Sequence, residues 1–411
     1  MSCPFYNMKY IILSLFIGFI FNGCSKQNDN IVNMNDIKSY LLVDNQKKSQ
    51  DLENANKNIA FWSKRLNDNP GNSFFMQTLA GWMDTRFRLT GNIDDLLTSD
   101  TLLQGANKDF REKDVSILHA LTQNAISRHQ FKLALGYARK SFILTEERFT
   151  SAMLLIDVLM ETGGYDEAHS LLKMYADEKS LPYLIRKSRY HQHEGNLDSA
   201  VTDMKAAYSI AQMDNNNSMM CFADNLIATY SIESGNMQQA YDSFLDALRH
   251  NPYYIPAIEG IATIAVVNDK NTEIAKDIYE SLSQTVNSPD PYLNLYKIAK
   301  YNNDESKKHE YLDTFLSKVS DAKYGRMYNK YVVNIEAEEF RNFDKAKEIA
   351  ESEIAERPTP ASYFMLAWAY FQSGDTEKSV EIIKQNVEGK TTDPETLTKI
   401  DRIYLEQTKK M

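Results

Sequence analysis

The chain has 411 residues, with 46 Lys plus Arg against 56 Asp plus Glu and a formal net charge of −10. This acidic balance argues against a nucleic-acid partner, because no net positive field exists to displace phosphate counterions. Gly and Pro number only 15 and 10, about half of their usual ~7% and ~5%. The turns that a β-sandwich or barrel needs every ~8–12 residues are therefore missing. A hydrophobic content of 43% excludes wholesale disorder.

The N-terminal residues have the pattern of an export signal. Residues 10–21 read YIILSLFIGFIF, an apolar run that follows the single charge of Lys9. As a helix this run is ~18 Å long, too short to cross a ~30 Å hydrocarbon core comfortably. A basic start followed by a short apolar segment is typical of a signal peptide. Translation from Met1 or from Met8 is left open.

The end of this run carries a possible lipid site. Gly23 and Cys24 follow the apolar residues, and a polar stretch comes next. This pattern resembles the lipobox of bacterial lipoproteins, although Phe21 stands where Leu is usual. The resemblance implies a lipoprotein signal peptide over 1–23 and acylation (palmitate or a similar chain) of Cys24. It also implies anchoring in a bacterial membrane, with the outer membrane as the favoured site and its periplasmic or surface face left open.

The next segment, residues 24–57, is rich in Asn, Asp, Gln, Lys and Ser. This composition predicts a flexible tether between the anchor and the folded body. Beyond Cys24 the sequence contains one more cysteine, Cys221. One thiol cannot form an internal disulfide, so the body depends on its hydrophobic core.

From residue 58 to residue 411 one pattern recurs. In its clearest copy Gly235, Ala240, Phe244, Ala247 and Pro252 follow at steps of 5, 4, 3 and 5. The small residue of each copy gives the period, about 35 residues when the largest gap is counted as two units. These small residues are Ala134, Ala168, Ala200, Ala240, Ala275, Ala346 and Ser379.

Each copy predicts a pair of helices. An apolar residue pattern of helical period precedes the Gly, and acidic residues follow it, as Asp166 and Glu167 follow Gly163. Gly provides the positive φ that ends a helix, and acidic residues suit the first turn of the next one. The small residue permits close approach of the two helices, and the large residue four positions later fills the gap to the next pair.

The recurring pattern resembles the tetratricopeptide repeat family, whose unit of ~34 residues has small, aromatic and Pro positions at these steps. The resemblance covers roughly residues 115–388, and the copy between 288 and 323 is barely visible. It implies an all-α solenoid of about eight helical hairpins that form a right-handed superhelix over 58–411. The first helices would line a concave groove, and residues 393–407 would form a capping helix.

The sequence contains no catalytic pattern. A Gly-rich phosphate loop followed by Lys and a G-x-S-x-G elbow are both missing. His191 and His193 are two residues apart, which places them on different faces of a helix and disfavours a metal pair. The sequence therefore predicts a protein that is not an enzyme and has no cofactor or metal.

If the resemblance holds, its register places eleven residues in the groove as partner-binding candidates. They are His119, Gln123, Asp157, Arg189, Gln192, Asn225, Glu233, Asn334, Phe364, Trp368 and Phe371. The last three form one stripe along a helix, at i, i+4 and i+7. Such a stripe either packs beneath the capping helix or anchors a partner peptide.

The predicted lipid anchor, the repeat scaffold and the lack of a catalytic pattern together favour a non-enzymatic adaptor. Such an adaptor would be lipid-anchored and would bind a protein or peptide in the bacterial cell envelope. One alternative is a nutrient-capture lipoprotein that holds glycans for an outer-membrane transporter, with Trp368 as a stacking residue. A hydrolase with an unrecognised site is a further, weaker alternative.

Overall fold

The computed structural model describes residues 30–41, 46–146 and 148–410, and the predicted signal peptide and Cys24 lie outside them. Within the described residues every regular element is a helix, and none of these helices has the length and apolar character needed to cross a bilayer. The first ten α-helices have the following bounds: α1 (Met34–Leu41), α2 (Gln46–Asp68), α3 (Ser73–Thr90), α4 (Ile93–Asp109), α5 (Val115–Ser127), α6 (Phe131–Leu144), α7 (Arg148–Thr162), α8 (Tyr165–Met174), α9 (Leu181–His193) and α10 (Leu197–Met213).

The remaining α-helices run to the C-terminal end of the described chain. They are α11 (Asn217–Glu233), α12 (Met237–His250), α13 (Ile255–Val267), α14 (Thr272–Thr285), α15 (Asp290–Tyr301), α16 (Glu305–Val319), α17 (Asn329–Glu338), α18 (Phe343–Glu356), α19 (Pro360–Gln372), α20 (Thr376–Asn386) and α21 (Pro394–Lys410). A short 3₁₀ helix, Ala322–Tyr324, lies between α16 and α17.

Consecutive helices pack as antiparallel hairpins, from α3–α4 through α19–α20, with α2 before the first hairpin and α21 after the last. This arrangement confirms the all-α solenoid. Among the described residues there are nine hairpins where the sequence predicted about eight. The barely visible copy forms a complete hairpin, α15–α16, because its helices keep their buried faces although its turn contains no Gly.

The turn inside every hairpin contains one residue in the left-handed region, with φ between +53° and +92°. These residues follow one another at intervals of 32 to 40 and give the true register of the repeat. They are Gly91, His129, Gly163, Gly195, Gly235, Lys270, Asn303, Arg341 and Gly374.

Neighbouring hairpins pack through the residues that the repeat pattern singled out. The small residues Ala168, Ala200 and Ala240 are fully buried, as is Phe244 on α12. The Phe244 ring fills the space over Gly260 of α13, where an added Cβ would lie 2.1 Å from the ring. The predicted roles of the small and the large residue are thus seen directly.

The N-terminal segment packs against the solenoid. The backbone N–H groups of Ile31 and Val32 donate to the Asp269 carboxylate at 3.1 and 2.8 Å, and the Ile37 side chain is buried. The predicted flexible tether, 24–57, is therefore wrong over its described part, which forms α1 and the start of α2. The apolar side chains of α1 share one face, and burial of that face against α12 and α14 outweighs the polar composition of the segment.

The solenoid also folds back onto itself, so that hairpins about five to six units apart are in contact. The Asn287 N–H donates to the Thr90 carbonyl at 2.7 Å, and Gly163 lies against the backbone of Pro358. In both contacts the turn inside one hairpin meets the linker between two later hairpins. We call these the coil contacts.

Candidate functional site

A partly open cavity lies beside the coil contact of Gly163 with Pro358, between the middle and the C-terminal hairpins. Its volume is about 290 Å³, and its walls come from α7 and α9 on one side and from α17, α19 and the start of α21 on the other. Five of the predicted groove residues line it: Arg189, Gln192, Glu233, Asn334 and Phe364. The structure thus brings together side chains from hairpins that are far apart in sequence.

The other predicted groove residues lie outside this cavity. His119 Nε2 lies 2.7 Å from Ser151 Oγ, Gln123 is half-buried on α5, and Asn225 is fully buried on α11. Asp157 is also buried, beneath Arg186 and Arg189. The partner-binding role of all eleven residues stays a prediction.

A chain of ion pairs supports the first wall of the cavity. Arg186 Nη2 and Arg189 Nη1 donate to the Asp157 carboxylate at 2.5 and 3.1 Å. Arg189 also pairs with Glu161 at 2.8 Å, and Arg357 of the opposite wall approaches Glu161 at 3.5 Å. Glu161 therefore connects the two sides of the coil contact.

Glu233 is the unusual carboxylate of this cavity. Both of its oxygens accept from Gln192 Nε2 at 3.1 Å. Burial, with a smaller contribution from the nearby Asp393 carboxylate, raises the pKa of Glu233 to about 7 against the opposing hydrogen bonds from Gln192 and Thr392. Glu233 thus titrates near neutral pH at the contact between α11 and the linker before α21.

Lysines occupy the second wall. Lys399 pairs with Glu395 at 2.9 Å and lies 3.7 Å from Glu338. Burial lowers the pKa of Lys297, behind this wall, to about 8. Lys330 and Asn334 on α17 face the cavity, and no ion pair or hydrogen bond to a described residue engages either side chain.

The aromatic stripe of α19 packs beneath α21, which is the first of its two predicted alternatives. Trp368 is 2% exposed, and its Nε1 donates to Glu338 at 3.0 Å. The Lys399 ammonium lies 4.6 Å from the Trp368 ring, and the Arg402 guanidinium lies near it as well. A ring covered in this way offers no face on which a sugar could stack.

An exposed aromatic cluster on α2 and α3 was missed by the sequence analysis. Phe61 and Phe74 are 50% and 64% exposed, and both contact Trp62, at centroid distances of 5.1 and 5.9 Å. Phe75 completes the cluster, and the Arg65 guanidinium lies 5.2 Å from the Phe61 ring. Two adjacent aromatic pairs on either side of the Pro70–Gly71 turn were the available signal.

The described residues contain no group of three His, Cys, Asp or Glu side chains placed to hold a metal ion. Cys221 is buried, and burial raises the pKa of its thiol far above the usual range. A thiol of this kind is a poor nucleophile because it stays protonated at neutral pH.

Comparison with known proteins gives one family match. Residues 360–388, which include α19 and α20, match the tetratricopeptide repeat model. The chain is also similar to human IFIT1 in its dimer with PPP-AAAA, with 11% identity, a TM-score of 0.48 and coverage of 76% of this chain and 71% of that chain. A chain of the APC/C hetero-tetramer Cut9-Hcn1 has 13% identity and a TM-score of 0.34, with coverage of 87% of this chain and 88% of that chain. No curated protein sequence matches, and structural likeness this low carries no argument about function.

Proposed function

Because the chain is a tetratricopeptide repeat protein, we propose that it is a non-enzymatic scaffold that binds a protein partner at a bacterial cell envelope. Tetratricopeptide proteins generally bind protein or peptide partners. We further propose that a lipid on Cys24 anchors the protein to the membrane and that the partner binds at the exposed aromatic cluster.

The single observation that carries the proposal is the aromatic cluster of Phe61, Trp62, Phe74 and Phe75. Large aromatic side chains dominate the energetics of protein interfaces, and grouped exposed rings are uncommon on a surface that binds nothing. Lys64 and Arg65 lie exposed at its edge. The partner we propose therefore presents an apolar centre with an acidic rim.

The groove residues are less accessible than the cluster. Asp157, Asn225 and Trp368 are buried within the solenoid. An extended peptide would have to displace the helices packed over these three residues before it reached them. The outer aromatic cluster needs no such rearrangement.

A pull-down from detergent-solubilised membranes tests the partner and its surface together. We expect the full chain to recover a stoichiometric protein, and Phe61→Ala with Phe74→Ala to reduce its recovery about tenfold or more, as truncated interface anchors do. Ile143→Ala with Met174→Ala is the matched control, because those apolar side chains are 73% and 70% exposed and do not belong to the cluster. Recovery of no stoichiometric protein, or full recovery by the Phe61 and Phe74 variant, contradicts the proposal.

The anchor is supported by the order of signals at the N-terminus, an apolar run followed by Gly23 and Cys24. Several acyl chains on one cysteine would hold the protein firmly, since each buried CH₂ contributes ~0.8 kcal/mol. We expect Cys24→Ala to move the protein from the membrane to the soluble fraction. Cys221→Ala is the control and should stay with the membrane, and an unchanged distribution of Cys24→Ala would refute the anchor.

A further inference from the structure

The cavity, which is partly open to solvent, is of a size suited to a small molecule. Its volume of about 290 Å³ is at the lower end of the ~300–1,000 Å³ typical of small-molecule sites. The coil contacts at Gly163 with Pro358 and at Gly195 with Thr392 border it. This space accepts a compact ligand more readily than an extended chain.

The walls differ in chemical character. Met160, Tyr165, Pro360 and Phe364 supply apolar surface. Around them stand five cations and four carboxylates, a small positive excess inside a protein of net charge −10. The cations are Arg189, Lys330, Arg357, Lys390 and Lys399, and the carboxylates are Glu161, Glu233, Asp393 and Glu395.

Most of these charges are already engaged with one another. Glu161 pairs with Arg189 and Arg357, and Glu395 pairs with Lys399. The charges that remain available on the second wall are therefore few, and they determine what the cavity can bind.

Lys390 is exposed and donates to the Gln385 carbonyl at 3.1 Å, which leaves Lys330 as the cation of this cavity without a partner among the described residues. Lys330 is half-buried, yet no described carboxylate lies within ion-pair distance of its ammonium. Asn334, four residues later on the same face of α17, also lacks a hydrogen-bond partner among the described residues. Partly burying an ammonium and an amide without partners is unfavourable. Two donors of this kind on one cavity wall suit an oxyanion.

We propose that the cavity binds a small organic oxyanion, a carboxylate or phosphate monoester with a compact apolar body. Lys330 and Asn334 hold the charged group, and the apolar body lies against Phe364 and Pro360. This site is separate from the aromatic cluster, so its occupancy does not depend on the protein partner.

Calorimetry on the full chain with phenyl phosphate, benzoate, inorganic phosphate and benzyl alcohol tests the site. We expect phenyl phosphate or benzoate to bind, and neutral benzyl alcohol to bind at least about tenfold more weakly, because it lacks the charge. The relative affinity of phenyl phosphate and benzoate identifies the preferred oxyanion. Inorganic phosphate measures the contribution of the charge without the apolar body. Absence of binding by both aryl anions, or equal binding of benzyl alcohol, overturns the proposal.

Two variants localise the binding. Lys330→Gln should weaken the aryl anion about tenfold or more, whereas Lys330→Arg keeps the charge and should retain most of the affinity. Lys384→Gln is the matched control, because Lys384 is exposed on α20 away from the cavity. Thermal melting of each variant identifies any loss of folding. Unchanged affinity in folded Lys330→Gln places the ligand elsewhere and refutes the site. The pull-down at the aromatic cluster is unaffected by either result.

Discussion

Two glycine contacts represent the two ways in which the solenoid is held together. Gly260 lies beneath the Phe244 ring of the preceding hairpin, so it belongs to the packing between neighbours. Gly163 lies against the Pro358 backbone almost two hundred residues later, so it belongs to the coil contacts. The first contact buries a large side chain between two adjacent hairpins. The second joins turns and linkers through backbone and polar groups.

The difference indicates separate roles for the two contacts. Neighbour packing buries apolar surface along the whole chain and supplies most of the stability of the fold. The coil contacts are few, and they bring distant hairpins together beside the cavity. Variants at the two glycines should therefore differ in size of effect and in what they change.

Gly260→Ala should have the largest effect. A Cβ at this position would lie 2.1 Å from the Phe244 ring, and overpacking of a core usually costs ~1–3 kcal/mol. We expect a loss near the upper end, measured by urea unfolding. Gly81→Ala in α3 is the control, because nothing lies within 4 Å of the position that its Cβ would take, and it should stabilise by up to ~1 kcal/mol. An equal change in the free energy of unfolding for the two variants would contradict the close packing of Phe244 on Gly260.

Gly163→Ala and Gly235→Ala isolate the coil contact. Both glycines have φ of +80°, but a Cβ added at Gly163 would lie 2.9 Å from the Pro358 carbonyl oxygen, whereas one added at Gly235 would meet nothing within 4 Å. Each variant should lose ~1–2 kcal/mol from the left-handed backbone. Gly163→Ala should lose about 1 kcal/mol more, because it is overpacked as well. Equal losses in urea unfolding would mean that the coils do not touch at this point.

The pH dependence of stability tests the carboxylate of the coil contact. Burial raises the pKa of Glu233 to about 7 from 4.5. The unfolded chain has the lower pKa and therefore loses this proton first as pH rises. The contribution of Glu233 to the free energy of unfolding consequently falls between pH 4.5 and about 7 and then levels off. Glu233→Gln removes this loss. We expect the variant to gain about 1–3 kcal/mol relative to wild type between pH ~5 and ~8. The exposed Glu377→Gln is the control, and a constant difference across pH would contradict the shifted pKa.

Arg341→Gly should have the smallest effect and a stabilising one. Arg341 holds φ of +53° in the turn between α17 and α18, a conformation that costs a side chain with Cβ ~1 kcal/mol and costs Gly little. Asn303→Gly is the matched control, because Asn tolerates the left-handed region and should gain less. A lower melting temperature for Arg341→Gly would show that its stacking on Phe343 outweighs the backbone term.

Sequence reasoning worked best where the signal is local. Ala168, Ala200 and Ala240 marked the repeat correctly, because the same helical hairpin needs a small residue at the same step. It failed at turns that lack Gly, such as Lys270 and Arg341, where the fold imposes the left-handed conformation on a residue that has no preference for it. The N-terminal segment failed for a related reason, since a few apolar side chains in a polar stretch become a buried face only when α12 and α14 lie against them.

The candidate site was predictable in part. The register placed Arg189, Gln192, Glu233 and Asn334 toward the interior, and the structure brings all four to one cavity. It could not tell that Trp368 would lie beneath α21 with Lys399 over its ring. Helical periodicity fixes the face on which a side chain lies, but the neighbour across that face depends on how far the solenoid curves.

The sequence by itself determined a stack of helical hairpins with a period near thirty-five, because each hairpin is specified by short-range spacing of small, large and turn residues. Only the tertiary structure decided that distant turns and linkers meet and that a cavity forms between them. Small rotations between successive hairpins add up over many repeats, and no single repeat encodes their sum.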